Sequence, residues 1–155
     1  MKTKQEILDI INECKVCRLG LYDAEAAEVY IVPMNFGYEY ANEKLILYFH
    51  GAGEGRKHDM IKANPLACFE MDCSHRLIEA EEAGKYSMEY ECVIGSGNVH
   101  YCTDKNEKAH ALMQLMRKYA KDKEFTFPDR VLDSVTVFKL DVLEFAGKRL
   151  MEKKV

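Results

Sequence analysis

The chain has 155 residues, 48% hydrophobic and 31% charged, with a formal net charge of −4. That composition excludes a disordered chain and favours one domain, 1–155, large enough to bury a core without disulfides or a structural metal. The acidic balance gives no general attraction to nucleic acid or anionic lipid, so any anionic ligand must be held by a local basic site.

Thr3 and Glu6 form a capping-box pattern that opens a helix through Cys14. Val16 to Tyr22 reads as a strand. Val29 to Tyr38 reads as a second, with Pro33 inside it. Proline cannot donate to a sheet ladder, so Pro33 marks an edge, a bulge, or a place where something other than a strand lies alongside. A polar turn, 40–44, leads into Leu45–His50, predicted to form a hairpin with the preceding strand. A glycine-rich stretch follows, then a helix over Arg56–Ala63 that Asn64-Pro65 stops. Leu66–Asp72 is a fourth strand. Tyr86–Tyr101 is another, with Gly95 and Gly97 suggesting a bulge. Thr103-Asp104-x-x-Glu107 caps a helix with an apolar stripe through Ala109, Leu112, Met113, Met116, Tyr119 and Ala120. Lys121 to Asp133 reads as a loop with a short helix after Pro128, and Val135 to Phe145 is the last strand. About six strands with few long helices predict a mainly β fold, an antiparallel barrel with peripheral helices.

No stretch approaches the roughly 20 apolar residues of a membrane span, and the N-terminus lacks the apolar core of a signal peptide. The expected location is the cytoplasm, without membrane association, where the six cysteines stay reduced. Cys14-Lys15-Val16-Cys17 has the spacing of a redox or zinc half-site, but no second pair completes it, and it is read as structural. His58, His75, His100 and His110 show no metal-ligand spacing, so no metal site is expected.

The segment most informative about function is Gly51-Ala52-Gly53-Glu54-Gly55-Arg56-Lys57. Three glycines let backbone N–H groups approach an anion, the next helix N-terminus adds a favourable dipole, and Arg56 and Lys57 supply charge. A terminal phosphate suits such a loop; a flexible connector with solvated charges is the alternative. It is neither a Walker A sequence nor a dinucleotide-binding fingerprint. His50 stands where the apolar run meets this loop, able to donate to a ligand or exchange protons near neutral pH, or simply to bond to backbone.

Tyr30-Ile31-Val32-Pro33-Met34-Asn35-Phe36-Gly37-Tyr38, Leu47 to Ala52, and Gly55-Arg56-Lys57 together resemble pyridoxamine 5′-phosphate oxidase-like flavoproteins, above all the nitroimidazole-resistance branch. Residues 86–97 and Phe145-Ala146-Gly147-Lys148 follow in the order of that branch, so the resemblance spans nearly the whole chain. It implies a six-stranded split β-barrel that binds FMN at a homodimer interface. Val32, Pro33, Met34 and Asn35 would line the isoalloxazine with backbone atoms. Tyr48, Phe49, His50, Gly51 and Ala52 would run along the flavin and ribityl chain, with Gly55, Arg56 and Lys57 at the phosphate. The resemblance associates His50 with the active site and places Cys92 and Lys148 among the flavin-binding positions. Cys92 stands where relatives often carry serine, which removes the ground for carrying over a hydrogen bond there. The implied activity is an oxidoreductase passing electrons from reduced nicotinamide through FMN to a small acceptor such as a nitroaromatic compound. A non-catalytic FMN-binding or redox-sensing module is the alternative, and haem at the same barrel, with His50 as ligand, a weaker one.

Overall fold

The first helix, α1 (Lys4–Glu13), starts at the expected capping box, in a computed structural model that describes residues 3–152. Thr3 Oγ1 accepts from the Glu6 N–H at 3.2 Å, and the Glu6 carboxylate accepts from the Thr3 N–H at 2.8 Å. Ile7, Ile10 and Ile11 turn inward as its buried stripe. The last turn of α1 carries no basic residue of its own. Its C-terminal carbonyls are instead satisfied by Lys118, whose Nζ donates to Ile11 O at 2.8 Å and Asn12 O at 2.9 Å. Met1, Lys2 and residues 153–155, part of the expected domain 1–155, lie outside the described residues.

The strands are β1 (Cys17–Asp23), β2 (Glu28–Met34), β3 (Gly37–Ala41), β4 (Lys44–Gly51), β5 (Leu66–Ile78), β6 (Ser87–Cys102) and β7 (Thr136–Leu150). Helix α2 (Arg56–Ala63) follows β4, while α3 (Lys105–Tyr119) and α4 (Asp129–Ser134) lie between β6 and β7. All strands join one antiparallel sheet in the order β2-β1-β5-β6-β7-β4-β3, rolled around a core but not closed. The mainly β split-barrel architecture is as expected. The strand count is seven rather than six, because the stretch read as one strand, Val29–Tyr38, is two.

Asn35 and Phe36 carry the chain from one sheet edge to the other. The break has a tertiary cause. Tyr119 Oη accepts from the Phe36 N–H at 3.1 Å and donates to Lys15 O at 2.8 Å, so that N–H cannot serve a ladder. Gly37 lies so close under α3 that a Cβ would sit 2.5 Å from the Gln114 carbonyl carbon. Pro33 is opposite Arg18 on the edge strand β2, where its missing donor costs no second ladder. On the other side, β3 and β4 make the expected hairpin through Asn42 and Glu43, both at positive φ as a two-residue I′ turn requires.

Two strands run well beyond their predicted ends, β5 to Ile78 and β7 to Leu150. Their polar extensions pair through charge. Arg76 donates to both Glu89 carboxylate oxygens, at 2.7 and 2.9 Å, and Arg149 to Glu91. The expected bulge at Gly95–Gly97 is a register shift between Ser96 and Gly97 against β7.

β4 feeds two cores. Leu45, Leu47 and Phe49 point into the barrel among Leu19, Phe69, Met71, Val93, Phe138 and Leu140. Tyr48 points the other way, into a second cluster with Ala111, Leu112, Leu115, Leu132 and Val137. The outer face of β2, β1, β5 and β6 carries an apolar patch uncovered by any described element, with Val29 74% and Ile31 69% exposed beside Tyr22, Leu66 and Ile94, and next to it Arg18 pairs with Glu70 and Asp72. No helix among the described residues is long and apolar enough to cross a membrane.

Candidate functional site

The site is organised by the end of β4, the glycine-rich loop and the first turn of α2. Tyr48 and Phe49, both expected at the cofactor, use their side chains structurally. The Tyr48 hydroxyl donates to Glu39 at 3.0 Å, and burial together with that carboxylate pushes the phenol up. Glu39 also accepts from His110 at 2.9 Å, the main influence holding its carboxyl below the usual range. Phe49 is fully buried and stacks on Phe138 at 5.2 Å. Only their backbone is left to a ligand. His50 differs: it is exposed and its side chain has no hydrogen-bond partner among the described residues. The alternative of a strand-end histidine bonded to backbone is therefore not the arrangement found.

Beyond His50 the chain leaves the sheet at Gly51, which pairs with Thr136. Lys57 Nζ lies 3.7 Å from where a Gly51 Cβ would be, and a Cβ on Gly53 would come 2.9 Å from Thr136 Oγ1. Gly55 is the N-cap of α2 at φ 128°, a conformation that L side chains rarely adopt. The first helical bonds run from the N–H groups of His58 and Asp59 to Gly55 O, at 3.0 and 3.3 Å. The N–H groups of Gly53, Glu54, Gly55, Arg56 and Lys57 meet no acceptor among the described residues. Five successive free donors at a helix N-terminus, with the Lys57 ammonium near Gly51, offer a local site suited to an anion. A terminal phosphate fits it.

Arg56 leans away from this loop towards β2. Its guanidinium is 3.4 Å from the Glu28 carboxylate and stacks over the Tyr30 ring at 4.6 Å. Both members of the ion pair are more than half exposed, so it holds Arg56 weakly. On β2, Val32 and Met34 are half-buried and Pro33 is exposed; the neighbouring Asn35 is exposed, with its amide 3.5 Å from Lys15 O.

Cys92 and Lys148 stand apart from this loop within the chain. They are directly paired across β6 and β7, on the outer face, where Lys148 borders a groove of about 490 Å³ with Cys68, Ile94 and Ala146. Burial pushes the Cys92 thiol up. Lys148 is twelve residues further along β7 than Thr136, the strand's contact with the loop. At about 3.3 Å per residue that is up to about 40 Å of strand. Within one chain, therefore, the fold does not bring Cys92 and Lys148 to the loop.

Reading the sequence missed Thr136, Tyr101 and His58. His58, set aside for want of metal-ligand spacing, is 1% exposed beneath the loop. Its only local signal was a histidine in the first turn after the glycines. Cys14 and Cys17 are fully buried, which pushes both thiols up, and no cluster able to hold a metal occurs among the described residues.

The family model described as pyridoxamine 5′-phosphate oxidase matches residues 3–149. A solved structure from Bacteroides thetaiotaomicron VPI-5482, put forward as a 5-nitroimidazole antibiotic resistance protein, is 35% identical. It covers 95% of this chain and 84% of its own, with a TM-score of 0.81. A flavocytochrome from Azotobacter vinelandii has a TM-score of 0.72 at 15% identity, over 99% of this chain and 72% of its own. An FAD- and haem-binding protein from Mycobacterium smegmatis has a TM-score of 0.78 at 12% identity, over 96% and 72%. At those identities the likeness shows the fold alone. No curated protein is similar enough in sequence to match. With a family match over nearly its full length and the same split-barrel fold as a 35% identical relative, the chain belongs to the pyridoxamine 5′-phosphate oxidase family.

Proposed function

We propose that this chain is an FMN-binding oxidoreductase, working as a cytoplasmic homodimer and passing electrons from a reduced nicotinamide to a small acceptor such as a nitroaromatic compound. The observation that carries the reading is the run of five unpaired amide donors from Gly53 to Lys57, with the Lys57 ammonium beside Gly51. That arrangement favours a terminal phosphate, and FMN has one. When bound, FMN supplies the hydride and electron chemistry. The chain's own residues bind and orient it. Lys57 and the loop amides would hold the phosphate, and Arg56 would join them on leaving Glu28. The backbone of Val32 to Asn35 and of Tyr48 to Ala52 would hold the ring system and ribityl chain. His50, exposed and unpartnered, donates a proton to the acceptor.

Two features support a homodimer. Cys92 and Lys148 are too far along their strands to reach this loop in the same chain, so a flavin site that includes them needs a second copy. The uncovered apolar face around Val29, Ile31 and Ile94 is of the kind that protein interfaces cover.

The test is a titration of FMN and riboflavin, followed by flavin fluorescence, against wild type and the Arg56→Ala/Lys57→Ala double variant. Charge-assisted hydrogen bonds contribute roughly 1.5–3 kcal/mol each, so FMN affinity should fall about a hundredfold or more. Riboflavin, which lacks the phosphate, should change far less. Equal losses for both ligands would overturn the placement. Steady-state oxidation of reduced nicotinamide with a nitroaromatic acceptor then separates a reductase from a passive flavin carrier.

A further inference from the structure

His58 is buried directly under the loop and takes no part in the site as the sequence presented it. Its Nε2 lies 2.6 Å from the Ala52 carbonyl oxygen and its Nδ1 2.7 Å from the Tyr101 hydroxyl. A carbonyl only accepts, so Nε2 carries the proton; in the neutral ring Nδ1 then accepts from the Tyr101 O–H. The ring packs against Tyr101 with centroids 5.7 Å apart and meets Phe138 edge-on at 6.0 Å, which leaves it little room to turn. Both polar atoms are used, and each use fixes the other.

This geometry acts on the loop through the peptide plane. In a planar trans peptide the C=O and the following N–H point in opposite directions. Drawing the Ala52 carbonyl down to Nε2 therefore turns the Gly53 N–H away from the histidine, and that N–H is one of the unpaired donors. Glycines flank Ala52 on both sides, so without an anchor that peptide plane would rotate easily.

We propose that His58 is the positioning residue of the phosphate loop: its bond to the Ala52 carbonyl sets the peptide plane so that the loop amides present themselves together to an anionic terminal phosphate. The Ala52 carbonyl selects the ring tautomer, and the Tyr101 hydroxyl, donating to the bare Nδ1, braces it. The inference rests on the FMN reading for the identity of the anion, but the latch itself is a property of the chain alone.

Three measurements on the full-length protein test it. The first is a long-range ¹H–¹⁵N spectrum of the wild-type histidines, which should show His58 protonated at Nε2 and bare at Nδ1. The opposite tautomer overturns the proposal, whatever any variant does. The second is ¹⁵N relaxation of the flavin-free protein. Gly53 and Gly55 should have order parameters near the rigid value of about 0.85 in wild type and below about 0.6 in His58→Asn, whose amide does not reach Ala52. His58→Gln places an amide nitrogen near the Nε2 position and should restore rigidity. A loop equally ordered in all three proteins, or equally loose in both variants, overturns the latch.

The third measurement compares FMN with riboflavin. His58→Asn should weaken FMN about tenfold or more, leave riboflavin within about twofold, and be rescued by His58→Gln. A loosened loop with FMN affinity unchanged overturns the link to phosphate. If wild type does not prefer FMN to riboflavin, the FMN reading itself has failed, while the spectrum and the relaxation data still decide the latch. Should His58→Asn not fold, the tautomer spectrum and the order parameters of His58→Gln decide.

Discussion

Replacing Lys118 by methionine isolates what a buried ammonium does for the joint between α3 and α1. Lys118 is 5% exposed, and its Nζ lies 4.5 Å from the centre of the Phe36 ring while donating to Ile11 O and Asn12 O. Methionine keeps most of the volume and the ring contact but leaves both carbonyls without that donor. An unsatisfied buried acceptor costs roughly 1–3 kcal/mol, and two are exposed to that cost. Relief of the charge's own desolvation offsets part of it. The expected net loss is about 1–3 kcal/mol at pH 7, read from urea denaturation. Burial lowers the Lys118 pKa from the ordinary 10.5 to about 8. Between those values the unfolded chain holds the proton and the folded chain has released it, so folded stability rises with pH through that window. The full drop corresponds to about 3 kcal/mol as an upper bound, and solvent screening with the two carbonyls brings the expectation to about 1–2 kcal/mol. Methionine has no such term. The stability gap between wild type and Lys118→Met should therefore widen by that amount from pH 7 to pH 10. A variant as stable as wild type at pH 7, or a gap that narrows with pH, would refute the reasoning.

Gly37→Ala would press its Cβ to 2.5 Å from the Gln114 carbonyl carbon and 2.9 Å from its oxygen, and backbone cannot swing aside. A loss of about 3 kcal/mol in chemical denaturation is expected, and a neutral effect would mean that α3 does not seat there. His50→Ala should lower turnover with a nitroaromatic acceptor about a hundredfold while leaving FMN affinity within about twofold; equal rates would remove His50 from the mechanism. Thiol labelling should find Cys14 and Cys17 silent until the protein unfolds, since burial raises both. Cys68, exposed on the outer face, should react in dilute monomer and be protected in concentrated dimer. Protection that does not depend on concentration would argue against that face as the interface.

The parts of the fold that read directly from the sequence are those whose cause is local. Thr3 and Glu6 are three residues apart, and Asp104 caps α3 by accepting from the Glu107 N–H at 3.1 Å, again three residues on. The glycine-rich loop was legible for the same reason, since its glycines, helix start and charges are contiguous. What escaped has causes distant in sequence. Val29–Tyr38 is rich in β-branched and aromatic residues and reads as one strand; it breaks where a tyrosine hydroxyl 83 residues away takes the Phe36 N–H. The polar ends of β5 and β7 hide in a one-dimensional reading because their partners, Glu89 and Glu91, sit on another strand. Cys92 and Lys148 are neighbours only through the register of two long strands. Resemblance placed them on the same list of positions as Arg56, and only the strands' length shows that one chain does not gather them.

The sheet order also constrains how the molecule assembles in time. Three hairpins, β1–β2, β3–β4 and β5–β6, each close within a short stretch of chain and need no distant partner. Joining them is another matter: Leu19 pairs with Phe69, and Phe49 with Phe138, so the second junction encloses far more chain than the first. Loop-closure entropy must be met before such contacts stabilise anything, which makes the docking of β4 on β7 the natural slow step. The stacked Phe49 and Phe138 rings lie in that junction. Truncating Phe138 to leucine should then slow refolding in stopped-flow experiments more than an equally destabilising change at the β1–β2 turn. A protein caught before that step would present the long strand β7 as an open margin of its sheet, the state most exposed to joining the wrong neighbour.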